Sequence, residues 1–190
     1  MGMPAVSRRW TAAEVRALRA ASPFAAPRYE LVDGELLVTP SPRGLHQIAV
    51  RELAFALHVY LRANPVGSVL FAPFDVEVEP EFLSEPDVFV VPMPELRRIR
   101  TELPARTLLV ACEVLSPSSL RHDRVTKRRH YQRNVEEYWI VDLPGRRFER
   151  WQPDDERPDI LTDVLRWHPA GAMEPFVLTL RNFFSRVFDE

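Results

Sequence analysis

Apolar residues are arranged along this chain in two patterns. Some form short unbroken runs, as a strand buried on both faces requires. Others recur every three or four residues, as a helix with one buried face requires. Three segments stand out: the runs Asp87–Val91 (DVFVV) and Thr107–Val114 (TLLVACEV), and Val135–Asp142 (VEEYWIVD), which reads as another buried strand. The turn residues Ser116, Pro117, Ser118 and Ser119 end the second run, and a helix from about Ser119 to Arg133 separates it from the third. A strand, a helix and a strand in that order predict a right-handed crossover between parallel neighbours. Thr107–Val114 is therefore expected to be a central strand, with Glu137–Val141 parallel to it.

The flanking segments supply the rest of the elements. Thr11 and Glu14 form a capping box, which starts a helix running to about Ala21 and stopping before Pro23. Tyr29–Val32 and Glu35–Val38 read as a hairpin about Asp33 and Gly34, a pair suited to a tight turn with positive φ. Pro40, Ser41 and Pro42 stop its second strand. Leu45, Ile48, Ala49, Leu53, Ala56, Leu57, Tyr60 and Leu61 predict a helix over Leu45–Ala63. Val69–Glu79 ends in alternating apolar and acidic residues and reads as one half-exposed strand. A helical turn is expected at Glu95–Ile99 and strands at Arg147–Trp151 and Ile160–Trp167, and Phe176–Leu180 leads into a last helix at Asn182–Phe188. The class is α/β (or α+β) with a mixed sheet, built on the crossover at 107–142.

Composition narrows this picture. With 190 residues, 46% of them hydrophobic, the chain can bury one sizeable core. A single domain over 1–190 is expected, with an N-terminal helical extension of about 1–27. The net charge of −2 gives no overall basic character, so any nucleic-acid surface must be local. The one cysteine, Cys112, cannot form an internal disulfide and reads as a small core residue, which fits a reducing cytoplasm. No signal-peptide pattern and no apolar run of membrane-spanning length is seen, so a cytoplasmic protein without a membrane partner is expected.

The candidate chemistry begins at Glu113, an acid at the far end of the central run. An ionised carboxylate beside a core is costly unless a metal ion, a cation or hydrogen bonds compensate it. Two candidates lie nearby in sequence: Asp87, which opens an earlier run, and Lys127, one short helix later. A structural ion pair with one of the many arginines is the competing explanation. Asp123, Lys127 and Tyr131 (or His130) are spaced to share one helix face, which lets Lys127 reach back towards Glu113. Arg121, Arg124, Arg128, Arg129 and Arg133 project more to the sides. Tyr138, Trp139 and Trp151 read as packing residues, His58 as a surface residue, and Asp154, Asp155 and Glu156 as a solvated loop.

Several motifs occur in a telling order: E-P-D at 85–87, L-L-V-A-C-E-V-L-S-P-S-S at 108–119, D-x-x-x-K at 123–127, Tyr131, and E-Y-W-I-V-D at 137–142. Upstream stand Y-E-L-V-D-G-E-L at 29–36, P-S-P at 40–42 and His46. Over about residues 28–151 this order resembles the Uma-two family of restriction endonucleases, within the PD-(D/E)XK nuclease superfamily. The resemblance implies a restriction endonuclease-like core, with Asp87 and Glu113 as metal-ligating acids and Glu30 as an additional upstream acid that some superfamily members use. The superfamily usually places a lysine two residues after the second acid. That position is Leu115 here, and the resemblance points to Lys127 on the following helix instead. His46 and Tyr131 are implied as accessory residues. Asn134 and Val135 stand where a Gly-Val pair is usual, a change in a turn.

The chemistry agrees with these roles. Phosphodiester cleavage needs charge neutralised at the phosphate and a water made nucleophilic. Mg²⁺ (or Mn²⁺) serves both ends and needs only one or two carboxylates. Lys127 would orient or help deprotonate the water, or stabilise the transition state. Arg121, Arg124 and Arg128 would meet the nucleic-acid backbone. The expectation is an Mg²⁺-dependent DNA endonuclease, homodimeric by analogy with the superfamily. The alternatives are a nuclease acting on RNA or branched DNA, and a degenerate nuclease fold used for binding or assembly.

Overall fold

The computed structural model describes residues 8–21, 27–40 and 44–190. The expected helix stop at Pro23 and the turn at Ser41 and Pro42 lie outside the described residues. Helix α1 (Ala12–Ala21) starts at the capping box: the Thr11 N–H donates to Glu14 Oε2 at 2.9 Å and the Glu14 N–H to the Thr11 hydroxyl at 3.3 Å. Strands β1 (Arg28–Val32) and β2 (Glu35–Thr39) form the hairpin, with Asp33 at φ 54° and Gly34 at φ 78°. Helix α2 (Gly44–Ala63) follows.

Next come β3 (Gly67–Phe71), β4 (Val76–Glu79), β5 (Phe82–Ser84), β6 (Val88–Pro92) and α3 (Met93–Arg98). The central unit is β7 (Leu108–Val114), a π-helical stretch His122–Lys127, α4 (Arg128–Asn134) and β8 (Val135–Asp142). The chain closes with β9 (Arg147–Trp151), β10 (Asp159–Leu161), β11 (Val164–Trp167), β12 (Phe176–Thr179) and α5 (Leu180–Phe188).

A six-stranded sheet runs in the order β10-β9-β8-β7-β6-β3, a four-stranded sheet in the order β2-β1-β5-β4, and β11 pairs with β12. β7 and β8 are parallel, with Ala111 opposite Tyr138 and Glu113 opposite Ile140, as the crossover predicts. The ladders of β3 with β6, β6 with β7, and β8 with β9 are antiparallel, so the sheet is mixed.

Each face of the large sheet carries its own core. On one face α2, α5 and the β11–β12 hairpin cover Val88, Val110, Cys112, Val114, Trp139 and Val141. Burial pushes the Cys112 thiol well above its ordinary pKa, as expected of a packing residue. On the other face the small sheet and α4 cover Phe89, Ala111, Tyr138 and Ile140. Side chains alternate along a strand, so Glu113 leaves β7 on the face of Ala111, towards the small sheet. Among the described residues no helix is long and apolar enough to cross a membrane.

Three expectations need correction, and one strand was not expected at all. Val69–Glu79 is not one strand: Ala72 and Pro73 break it, because proline has no N–H for a ladder, and β3 and β4 belong to different sheets. Ile160–Trp167 likewise divides at the polar pair Thr162 and Asp163, with β10 extending the large sheet and β11 pairing with β12. The helix expected over Ser119–Arg133 is not α-helical throughout: after Leu120 and Arg121 it widens into a π stretch over His122–Lys127 and returns to α from Arg128. β5 has no counterpart in the sequence reading, since three buried residues, Phe82, Leu83 and Ser84, are too short to show a period.

Candidate active site

β6 and β7 pair antiparallel, with Val88 opposite Cys112 and Phe89 opposite Ala111. One step further along this register sets Asp87 opposite Glu113, on the face covered by the small sheet. From that sheet β1 contributes Arg28 and Glu30, which are two residues apart and therefore share one face. The π stretch contributes Asp123 and Lys127. Such widened turns often occur where a helix must aim side chains at a site.

Lys127 is the centre of the resulting cluster. Its Nζ lies 2.9 Å from Glu30 Oε2, 3.1 Å from Glu113 Oε1 and 3.5 Å from Asp123 Oδ1. The residue is only 4% exposed. Burial opposes its charge, but Glu113, Glu30 and Asp123 outweigh burial and hold the ammonium well above its ordinary pKa. Burial pushes Glu113 well above the usual carboxylate range; Lys127 lowers it, and Asp123, Asp87 and Glu30 raise it further. Burial likewise raises Asp123 to about 6, against the lowering effect of Lys127. Among the described residues Asp123 Oδ1 is buried without a hydrogen-bond partner, a sign that this corner holds more acid than its cations serve.

Asp87 is compensated differently. Its Oδ1 accepts from Arg28 Nη1 at 2.9 Å, and its Oδ2 from His46 Nε2 and the Val114 N–H, both at 2.9 Å. Burial works against its ionisation, yet His46, Arg28 and the Val114 amide prevail and lower it to about 2. Glu30 is oriented by the Glu85 N–H, which donates to its Oε1 at 2.9 Å. Tyr131 is fully buried, stacked on Tyr138 at 5.1 Å and hydrogen-bonded to Ser84 Oγ, so it forms a wall of the cluster.

The structure thus brings together Asp87, Glu113, Lys127, Glu30, His46 and Tyr131. It does not gather the arginines with them. Arg124 donates to Glu149 at 2.8 Å and to Asp142 at 3.1 Å, and Arg128 lies over the Trp151 ring at 4.5 Å. Both are taken up by the fold, whereas Arg121 and Arg129 are exposed. His130 stands apart, buried on Phe82 with its ring nitrogens facing Glu79 and Asp33, and so ties α4 to the small sheet.

The sequence reading missed Arg28 and gave Asp123 too small a part. It also passed over a compositional signal: the 25 basic residues include a single lysine, and that lysine is Lys127. Where all other cations are arginine, the one compact ammonium marks a place that a planar guanidinium does not fill.

Among the described residues no three His, Cys, Asp or Glu side chains form a closed metal cage. The donor set suits a cation that needs few protein ligands: hard carboxylate oxygens, Asp87 facing Glu113, and four acids against two permanent cations, Arg28 and Lys127.

Comparison with known proteins gives two findings. The model of the family Uma2, described as "Putative restriction endonuclease", matches residues 15–173. The chain is also similar to a crystal structure described as a putative nuclease belonging to DUF820, from Anabaena variabilis. The TM-score is 0.74 and the identity 18%, over 89% of this chain and 96% of that one. At that identity the likeness establishes the fold. No curated protein matches.

Proposed function

Since the chain belongs to the Uma2 family, whose description is "Putative restriction endonuclease", we propose that it is a divalent-metal-dependent endonuclease hydrolysing phosphodiester bonds of DNA. The observation that carries this reading is the position of Asp87 just before β6 and of Glu113 near the adjoining end of β7, with Lys127 delivered to Glu113 by the following π stretch. Asp87 and Glu113 are the residues to hold Mg²⁺ or Mn²⁺, with Glu30 alongside. The chemistry such an ion supplies is neutralisation of the phosphate and activation of water.

The chain's own residues do the remaining work. Lys127 keeps its proton among three carboxylates, so its role is that of a fixed cation and hydrogen-bond donor rather than of a base. It can meet charge that develops on the phosphate oxygens in the transition state. His46 and the Val114 amide fix the direction of the Asp87 carboxylate. Arg121 and Arg129, exposed along the same helical segment, are the cations free to follow the phosphate backbone.

The test is cleavage of supercoiled plasmid, single-stranded DNA and RNA by the purified protein, with and without Mg²⁺ or Mn²⁺, beside Asp87→Asn and Glu113→Gln. Metal-dependent nicking of DNA that disappears in both variants is the expected result. Variants that cut like the wild type would show the site to be wrong. No cutting of any substrate would favour the binding-module alternative.

A further inference from the structure

The four acids of the cluster divide between two cations. Lys127 serves Glu30, Glu113 and Asp123; Arg28 serves Asp87. The division matters because of how the Asp87 carboxylate is used. A carboxylate oxygen has two lone pairs. Oδ2 has both engaged, by His46 Nε2 and the Val114 N–H at 2.9 Å each. Among the described residues Oδ1 accepts from Arg28 alone, at 2.9 Å. A metal ion on Asp87 must therefore use Oδ1, directly beside a guanidinium that does not lose its proton. In buried surroundings two like charges at such range repel strongly. Arg28 is not needed to hold its strand, since β1 is laddered to both β2 and β5. Its side chain is 16% exposed against 4% for Asp87, so the guanidinium has a route outward.

We infer that Arg28 is a resident counter-ion of Asp87 that competes with the divalent cation for Oδ1, so that the chain itself limits how tightly its site takes up metal. The inference rests on the metal-dependent reading above. It makes Arg28 an antagonist of metal loading, where a simple structural role would make it a support.

The measurement is Mn²⁺ binding without nucleic acid, by electron paramagnetic resonance or titration calorimetry, on the whole chain and on Arg28→Gln, Arg28→Met and Asp87→Asn, with circular dichroism to check folding. Either neutral variant at Arg28 should bind Mn²⁺ more tightly than the wild type, with Kd lower on the order of tenfold. Asp87→Asn should lose the binding. Arg28 variants that bind Mn²⁺ as the wild type does, or more weakly, overturn the inference. If binding is still lost in Asp87→Asn, the metal reading stands without it. Absence of binding in the wild type and the Arg28 variants alike overturns both.

Discussion

Lys127→Met keeps the unbranched stem as far as Cε and removes the charged tip, leaving three carboxyls within 3.5 Å of where the ammonium stood. Removing one partner of a buried ion pair typically costs about 3–5 kcal/mol, because the other partner stays buried without compensation. For a chain of this length each kcal/mol lowers Tm by about 2–4 °C, which gives a loss of roughly 6–20 °C. The loss should depend on pH in a definite direction. Glu113 sits well above the usual carboxylate range and Asp123 at about 6 even with Lys127 present. Lys127 lowers both, so its removal raises both. An acid whose folded pKa exceeds its unfolded one binds its proton more tightly when folded. The stability this gives is present at low pH and is lost as pH rises through the folded pKa. The deficit of Lys127→Met against wild type should thus be smallest near pH 5 and grow towards pH 8. Thermal melts of both proteins in EDTA across that range are the assay. A variant melting within 2 °C of wild type throughout, or with a deficit that does not grow with pH, would refute the reasoning that Lys127 is the counter-charge of this cluster.

Four further variants have expected outcomes. Glu113→Gln should fold, and its Tm should fall less than that of wild type between pH 5 and pH 8, because the amide has no raised pKa to lose; thermal melts check this. Arg121→Ala should lower the slope of log affinity against log salt for duplex DNA by about one. Arg124→Ala should leave that slope alone and lower Tm, since it removes the guanidinium from the buried Glu149, while Asp142 keeps Arg147. Phe148→Ala, at a fully buried side chain packed edge-on against Phe183 at 5.3 Å, should cost about 3–5 kcal/mol in urea denaturation without shifting metal affinity.

The crossover was legible because it is written in local terms. The largely apolar segments 107–114 and 135–142 are short, rich in β-branched and aromatic residues and bounded by turn residues or a helix, which favours buried strands, and the segment between them is long enough for a crossover. Glu113 stood out for the same reason, as an acid inside such a run. Lys127 was reachable from helix spacing, although the turn that carries it is π rather than α. What escaped depends on how two sheets stack. Nothing near Arg28 in sequence hints at Asp87, because their contact is made only when β1 is laid across the end of β6. The break at Pro73 was visible as a residue, but a proline between two apolar runs does not tell whether the chain bends within one sheet or passes to another. β5 is a strand only by virtue of its neighbours β1 and β4.

The solitary lysine has a practical consequence. Reagents that acylate amines, the usual means of attaching dyes, biotin or crosslinkers to a protein's exterior, find no side-chain amine on the outside of this one. Apart from an α-amino group, their only target is a protonated amine held among three carboxylates. Slow acylation at Lys127 would therefore clock how often the charge cluster opens. Digestion with a lysine-specific protease would report the modified fraction, since the intact chain offers that enzyme a single cut. A chemistry normally spread over a whole surface becomes, in this molecule, a single-site probe of its interior.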